Sequence, residues 1–413
     1  MKRPFTIFAS AAQKLCFLFL ALLLLPALPL RSLAATEAQD VTRKCRIVMP
    51  GGTKARNSIT DRMYKTAWVG AKDKKWTIRI ELPDGYEGGG LYLCWGNRPE
   101  SWTLLQNGEP VANSDDNGFA HEYVKIQGGG TLRLVMQAEP KKKIILGELF
   151  VFKGDEPPAW VQRWEPTYET ADLMVLVAHP DDELLFMGGT IPYYEMVRGK
   201  RVVVCYLTCA NNMRQSEMLN GLWSMGMRHY PVIGHFLDQS LGTKRKTYAL
   251  WGKEKVQNYV VELVRKYKPK VLISHDVNGE YGHAAHRVCS ELAAYAFDAA
   301  AKKNVDKKSA EQYGIWEVSK LYLHLFKKQP IEMDWSKPYD ELGGQTPLQA
   351  AEKAFKLHRS QQKNHRMGKN RLYDTTKFGL AATRVGEDKL KNDFFENIVD
   401  QTGISEAEST NQP

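Results

Sequence analysis

The sequence predicts two folded parts, an all-β sandwich followed by an α/β domain with a mainly parallel sheet. Short alternating strands separated by turn residues fill residues 40–155, whereas strands alternate with helices between residues 172 and 330. A length of 413 residues is enough for two hydrophobic cores, and 43% hydrophobic with 25% charged residues is ordinary for a globular protein. The composition is therefore that of a folded protein with more than one domain.

Residues 1–35 are expected to be a secretory signal peptide rather than part of the fold. Lys2 and Arg3 precede the apolar run CFLFLALLLLPALPL, and the small residues 32–35 follow it. An uncleaved membrane anchor is the alternative, although the run is short for a span and contains Pro26 and Pro29. We therefore expect a secreted or cell-surface protein without a stable membrane span after cleavage.

The net charge bears on the kind of partner. The formal charge is +10, and four of the basic residues lie in the expected signal peptide, which leaves about +6 for the mature chain. That excess permits an anionic partner such as a cell-wall polymer without requiring one. The basic stretch 356–371 lacks interleaved aromatic residues, so we do not expect nucleic-acid binding. The oligomeric state does not follow from the sequence.

The cysteine count argues against a disulfide framework. Five of the six cysteines follow the expected signal peptide, and an odd number cannot pair completely. Only Cys45 with Cys94 is a pairing to consider. The alternative for all five is that they are small buried hydrophobic side chains.

Residues 40–155 are predicted to form an antiparallel, jelly-roll-like sandwich. In KWTIRIEL, Trp76, Ile78 and Ile80 fall on one face of a strand, and the turn sequences PDGYEGGG, QNGEP and QGGG separate the strands. Such a domain is a candidate carbohydrate-binding module. The linker 156–171 contains Trp160 and Trp164, which we expect to pack against a domain, with sugar binding as the alternative.

After the linker, strands and helices alternate. The predicted strands are ADLMVLVA, RVVVCYL, YPVIGHF, KVLIS and KLYLHLF, and EKVQNYVVELVRKY is an amphipathic helix between two of them. This order predicts a doubly wound, Rossmann-like three-layer domain over residues 172–330. Residues 331–402 are expected to form a helical extension that packs on this domain, and residues 403–413 a disordered tail.

Polar residues cluster where two of these strands end. His179, Asp181 and Asp182 follow the first strand, and His283 and His286 follow KVLIS. Parallel strands present their carboxyl ends at one edge of the sheet, so we expect the two groups to meet. Two imidazoles with one carboxylate can hold Zn²⁺ and leave a position open for water. The alternative for the acids is that they cap the following helix.

The motif AHPDDE with a downstream YGHxxH resembles the PIG-L/LmbE family of metal-dependent N-acetylglucosamine deacetylases. The resemblance covers roughly residues 172–330, and the extra domain and C-terminal region are similar to those of secreted bacterial members. It implies that zinc, or another divalent metal, is held by His179, Asp182 and His286. It also implies that Asp181 is the general base and that His283 polarises the acetyl carbonyl and stabilises the oxyanion.

Two further residues match the family pattern. Arg214 in NMRQSEM and Asp238 in GHFLDQSLG are, by resemblance, candidates for contacts with the sugar. The loop 208–212 departs from the family pattern, so the sequence does not identify the sugar that is bound. The expected function is thus an exported zinc-dependent hydrolase that removes N-acetyl groups from N-acetylglucosamine-type sugars on a glycan. The alternative is a glycan-binding protein with a non-hydrolytic metal site.

Overall fold

The structure is a computed structural model that describes residues 38–72, 74–239, 242–363 and 365–399. The expected signal peptide and C-terminal tail therefore lie outside the described residues. Within the described ranges, no helix is both long enough and apolar enough to cross a membrane.

The N-terminal part consists of two antiparallel five-stranded sheets. One sheet has the order β1-β10-β5-β8 with β3 also paired to β10, and the other has the order β2-β4-β9-β6-β7. The strands are β1 Gln39–Asp40, β2 Arg46–Val48, β3 Trp68–Gly70, β4 Lys75–Glu81, β5 Gly88–Asn97, β6 Ser101–Gln106, β7 Glu109–Asn113, β8 His121–Gln127, β9 Thr131–Gln137 and β10 Ile144–Lys153. A 3₁₀ turn, Thr42–Lys44, and one short helix, α1 Gly52–Ser58, interrupt the strands.

Alternation along the strands explains why these sheets pack face to face. Ile78 and Ile80 of β4 and Leu132 and Leu134 of β9 are completely buried in one core cluster, and their sequence neighbours face outward. This core also contains Trp95, a buried residue of the other sheet. The predicted face of KWTIRIEL is therefore the inward face, except that Trp76 is only partly buried.

The cysteines that follow the expected signal peptide are all free. Cys94 is buried in the sandwich and Cys45 is half-buried, so the pairing considered for these two is not present. Burial raises the pKa of both thiols, that of Cys45 to about 11. These two side chains behave as small hydrophobic residues.

A seven-stranded sheet forms the centre of the second part. Its order is β13-β12-β11-β14-β15-β17-β16, in which β11 to β15 run parallel and β16 and β17 run antiparallel at one edge. The strands are β11 Leu173–Val177, β12 Val202–Thr208, β13 Val232–Phe236, β14 Val271–Ser274, β15 Lys320–His324, β16 Pro330–Glu332 and β17 Lys377–Thr383. The strand order reverses between β11 and β14, which is the position where such sheets bind ligands.

Helices cover both faces of this sheet. Leu173 and Val175 of β11 belong to one buried cluster and Met174 and Leu176 to another, so the domain has three layers, as predicted. The helices are α2 Asp182–Leu185, a π-helical segment Pro192–Val197, α3 Asn212–Ser224, α4 Lys244–Trp251, α5 Lys253–Tyr267, a 3₁₀ turn Glu280–Gly282, α6 Ala284–Ala299, α7 Lys307–Tyr313, a 3₁₀ turn Asp340–Leu342 and α8 Pro347–Phe355.

The described residues of the segment 331–402 pack on the α/β domain as predicted, but the helical part of that prediction is wrong. The described part of this region contains one regular helix, α8, whereas β17 pairs with β15 and β16 at the sheet edge. An uncovered β15 would expose a row of unpaired backbone groups, and β17 satisfies them. Phe378 and Leu380 of β17 also supply apolar surface to the core. The extension therefore completes the sheet as well as packing on it.

The two parts of the chain contact each other directly. The Nδ1 atom of His121 lies 2.9 Å from Tyr92 Oη in the sandwich. The Nε2 atom of His121 lies 3.2 Å from Ser216 Oγ in α3. The hydroxyl of Tyr230 accepts a hydrogen bond of 3.0 Å from the Ala120 amide. In the connector, Trp164 is buried and packs edge-to-face on Trp223 with ring centroids 5.3 Å apart, as expected for a packing residue.

Candidate active site

The first loop of the site leaves β11 and enters α2. Asp181 occupies the N-cap position with φ 106°, a left-handed conformation that is costly for a residue with a side chain. Two carboxylates hold this conformation: Asp182 Oδ2 accepts from the His179 amide at 2.7 Å, and Glu183 Oε2 accepts from the Asp181 amide at 2.9 Å. Asp181 makes no side-chain capping bond to the helix, so capping does not account for it.

The second loop leaves β14 and enters α6. Gly279 has φ 66°, and a Cβ there would lie 2.5 Å from the His283 carbonyl oxygen, so the loop requires glycine. His283 precedes the first residue of α6, and His286 lies in its first turn. Their ring centroids are 4.6 Å apart, which confirms that the i, i+3 spacing places both on one side.

The two loops meet at the expected metal ligands. His179 Nδ1 lies 3.1 Å from Asp182 Oδ2 and 3.2 Å from His286 Nε2, and His286 Nε2 lies 3.4 Å from Asp182 Oδ1. Ligand atoms about 2.1 Å from a tetrahedral zinc ion are roughly 3.4 Å apart, so these donors fit a Zn²⁺-sized cation. All three side chains are buried. Burial opposes the charge of Asp182, but the neighbouring imidazoles hold its pKa well below the usual range.

Glu280 orients one of these ligands, and sequence reasoning did not identify it. Its Oε2 accepts from His286 Nδ1 at 2.8 Å, and its Oε1 lies 2.7 Å from His324 Nδ1. With the proton on Nδ1, the Nε2 lone pair of His286 is directed at the ligand cluster. Burial disfavours the charge of Glu280, yet its imidazole partners, His275 first, keep its pKa well below the ordinary value.

His275 borders the cluster of expected metal ligands. Its Nδ1 lies 2.8 Å from Glu280 Oε2, and its Nε2 lies 3.1 Å from the Ala178 amide nitrogen and 3.3 Å from Asp182 Oδ2. Burial disfavours its charge, but Glu280 and Asp182 raise its pKa to about 10. With the proton on Nδ1, neutral His275 accepts from the Ala178 amide through Nε2, and this nitrogen also lies close enough to Asp182 and His286 to share a cation with them.

Asp181 is the carboxylate placed to exchange protons. Burial raises its pKa to about 7, an effect that Arg214 opposes and Asp182 reinforces. A carboxyl with a pKa near neutrality can both accept and return a proton. Arg214 Nη2 donates to Asp181 Oδ1 at 2.8 Å and to the Pro180 carbonyl. Arg214, expected to contact sugar, is thus bound to the candidate base.

The remaining predicted residues border the same space. His283 is half-buried, and burial together with the nearby His179 and His286 lowers its pKa to about 3. It is therefore neutral and can act as a hydrogen-bond donor, not as a cation. Asp238 Oδ1 lies 3.5 Å from His179 Nε2. The structure thus brings all seven predicted site residues together.

A cavity of about 320 Å³ opens above these residues. Part of its wall is Ser360, Gln361 and His365, from the C-terminal extension, and sequence reasoning did not place them there. The amide and hydroxyl of Ser360 donate to Glu217 at 2.8 and 2.6 Å. Glu217 lies three residues after Arg214 on α3 and 143 positions from Ser360 in the chain, so no local sequence signal connects Glu217 with Ser360.

Comparisons with known proteins agree with this geometry. Residues 174–297 match the PIG-L family model, described as GlcNAc-PI de-N-acetylase. A 1D-myo-inositol 2-acetamido-2-deoxy-alpha-D-glucopyranoside deacetylase 1 from Catenulispora acidiphila is 28% identical over 199 residues, which are 41% of this chain and 58% of the relative. A protein of the same name from Frankia alni is 25% identical over 174 residues, 35% of this chain and 59% of the relative. The chain thus spans somewhat over half the length of these two relatives.

Among solved structures, the N,N'-diacetylchitobiose deacetylase from Pyrococcus horikoshii, complexed with its inhibitor MPG, shares 19% identity. That similarity covers 48% of this chain and 74% of the other, with a TM-score of 0.34, which is too low to support an argument about function. Both site loops lie within residues 174–297, the segment that matches the PIG-L family model.

Proposed function

We propose that this protein is a metal-dependent hydrolase that removes the N-acetyl group from N-acetylglucosamine-type sugars. The observation that carries the proposal is the convergence of His179, Asp182 and His286 beside a carboxyl, Asp181, whose pKa is near neutrality. The similarity to curated acetamido-sugar deacetylases supports the same substrate class.

His179, Asp182 and His286 would hold a divalent cation, which would supply Lewis-acid chemistry for the hydrolysis. Asp181 takes a proton from the attacking water as the water oxygen bonds to the acetyl carbon. An N–H group of His283 donates to the developing oxyanion. When the carbon–nitrogen bond breaks, Asp181 returns the proton to the leaving nitrogen, and the products are acetate and the free amine. Arg214 keeps the Asp181 carboxylate in place throughout.

We also propose that the protein is exported and acts on a glycan. The N-terminal pattern of a signal peptide supports export. The sandwich beside the candidate domain supports a polymeric substrate, because an attached module can hold a chain near the site.

The proposal is tested by assaying acetate and amine release from N-acetylglucosamine and its oligomers. We expect activity that is lost on chelation and restored by Zn²⁺. Asp181→Asn should lose about 10²–10⁴-fold in kcat with unchanged zinc content, because it cannot accept the proton. Asp116→Asn, an exposed matched control, should be fully active. Zinc binding without turnover on any acetamido sugar would instead favour a glycan-binding protein.

A further inference from the structure

A second, larger cavity lies where the two parts of the chain meet. It has a volume of about 560 Å³. We call it the interdomain cleft and define it by its lining residues: Tyr64, Ala159, Trp160, Glu217, Asn220, Trp223, Ser224, Gly226, Arg228, Lys353, Leu357 and Arg359. The sandwich, the connector, α3 and α8 with the segment after it all contribute to it. Ligand sites are frequent at such junctions between domains.

Aromatic side chains form one side of the interdomain cleft. Trp160 is 45% exposed although its ring touches Phe150 and Phe152 edge-to-face at centroid distances of 5.0 and 5.7 Å. The ring is therefore held in place by the sandwich while nearly half of the residue is open to solvent. Trp223 is buried, and its Nε1 donates to the Ala159 carbonyl at 2.8 Å, so it supports the wall of the cleft behind the exposed Trp160. Rigid aromatic surfaces with a polar edge suit the apolar faces of sugar rings, at little entropic cost.

The charge of the interdomain cleft is positive. Arg228, Lys353 and Arg359 line it, and Arg228 stacks on Trp223 with its guanidinium carbon 3.9 Å from the ring centroid. Among the described lining residues, Glu217 is the one carboxylate, and Ser360 occupies both of its oxygens. Lys353 and Arg359 are exposed. A cleft lined by one sign of charge concentrates ligands of the other sign.

The interdomain cleft shares a wall with the candidate active site. Leu357 and Arg359 line the cleft, whereas the next residues, Ser360 and Gln361, line the catalytic cavity. Glu217 of the cleft anchors Ser360 through two hydrogen bonds. A saccharide bound in the cleft would therefore be separated from the catalytic cavity only by the segment 357–361.

We propose that the interdomain cleft is a binding site for an acidic saccharide, with Trp160 as the stacking surface and Lys353 and Arg359 as partners of its anionic groups. The inference deepens the proposed function, on which its connection to catalysis rests, by assigning the glycan a negative charge outside the acetamido sugar that reacts. A nucleic acid also combines rings with charge, but the adjoining acetamido-sugar site favours the saccharide.

The test measures binding to the full chain carrying Asp181→Asn, so that no turnover occurs. The probes are hyaluronan oligosaccharides, which alternate N-acetylglucosamine with an acidic sugar, the neutral N-acetylglucosamine hexamer, and oligothymidylate. We expect Trp160→Ala to weaken hyaluronan binding about tenfold and Trp160→Phe to retain most of it. The double variant Lys353→Gln/Arg359→Gln should also lose about tenfold and show a weaker dependence on salt.

The matched control is Lys303→Gln/Lys308→Gln, which removes two exposed charges near α7, on the other side of the sheet, and should bind normally. Hyaluronan binding that is unchanged in both cleft variants would overturn the proposal. So would equal affinity for the neutral hexamer or for oligothymidylate. Because binding is measured without catalysis, a cleft that binds hyaluronan in a protein without deacetylase activity would refute the proposed function alone.

Discussion

Two glutamates beside the metal ligands are equally buried and yet have opposite tendencies to ionise. Glu280 accepts from His275, His286, His324 and the Asp276 amide, and its pKa lies well below the ordinary value. Burial and the adjacent Asp181 raise the pKa of Glu183 to about 8. The Asp181 amide donates to its Oε2, whereas Oε1 has no hydrogen-bond partner among the described residues. The charges and hydrogen-bond donors around each glutamate, not the depth of burial, decide whether it ionises.

The histidines near these glutamates show the same contrast. The Nε2 atom of His358 lies 3.9 Å from Glu183 Oε1, too far for a hydrogen bond, and burial, together with Arg214, lowers the pKa of His358 to about 3. Glu280 and its histidines therefore form a charged network on one side of the site. Glu183 and His358 form a neutral pair on the other side. The charged side orients a metal ligand, whereas the neutral side supports the loop of the base.

The largest effect is expected for Glu280→Gln. The amide would place N–H groups opposite imidazole donors and leave several of them without an acceptor. We expect divalent-metal affinity to fall about 10–100-fold and the free energy of unfolding to fall by about 3 kcal/mol. Competition with a chromophoric chelator and urea denaturation measure the two effects. An unchanged zinc affinity would show that Glu280 does not orient His286.

The two glutamates should give the free energy of unfolding opposite dependences on pH. Glu183 has a raised folded pKa, so its contribution to stability is present below its unfolded value of about 4.5 and is lost as the pH rises towards about 8. Glu280 has a lowered folded pKa, so its contribution is present above about 4.5 and is lost as the pH falls. The free energy of unfolding of metal-free Glu183→Gln should therefore rise relative to that of the wild type between pH 5 and 8, by on the order of 1–3 kcal/mol. If urea denaturation showed a difference between Glu183→Gln and the wild type that does not change with pH, the raised pKa of Glu183 would be contradicted.

A smaller effect is expected for Glu183→Gln at pH 4, where the wild-type carboxyl is mostly protonated in both the folded and the unfolded chain. The glutamine oxygen can still accept from the Asp181 amide, so the free energy of unfolding should change by less than about 1 kcal/mol. At pH 7 the zinc affinity of Glu183→Gln should match that of the wild type, which makes this variant the control for Glu280→Gln. A stability loss as large as that of Glu280→Gln would mean that Glu183 is charged.

The smallest effect is expected for His358→Leu. Both ring nitrogens of His358 are buried without a hydrogen-bond partner among the described residues. Replacing such a group by an apolar side chain of similar size should change the free energy of unfolding by roughly 0–1 kcal/mol, with stabilisation as a permitted outcome. A loss above about 2 kcal/mol in urea denaturation would indicate that His358 takes part in a polar contact of the kind made by His324.

The local parts of the site were predictable because their signals are short-range. His179 and Asp182 lie three residues apart, as do His283 and His286, and each pair follows a run of buried strand residues. The rule that parallel strands end at one edge of the sheet was sufficient to bring the two pairs together.

Other parts were not predictable because their partners are remote in the chain. The role of Glu280 depends on His324, which is 44 residues away, and Ser360 is placed in the cavity wall by Glu217, 143 residues away. The segment FGLAAT became β17 because the edge of β15 required a partner, which propensity alone does not reveal.

The sequence by itself determined the alternation of strands and helices, the sandwich before it, and the residue types that could hold a divalent cation, because hydrophobic period and turn chemistry are local properties. Only the tertiary structure decided which carboxylates are charged, that Arg214 holds Asp181, and that a positive cleft adjoins the candidate site. Those features depend on distances between segments that the chain brings together only when its hydrophobic cores close.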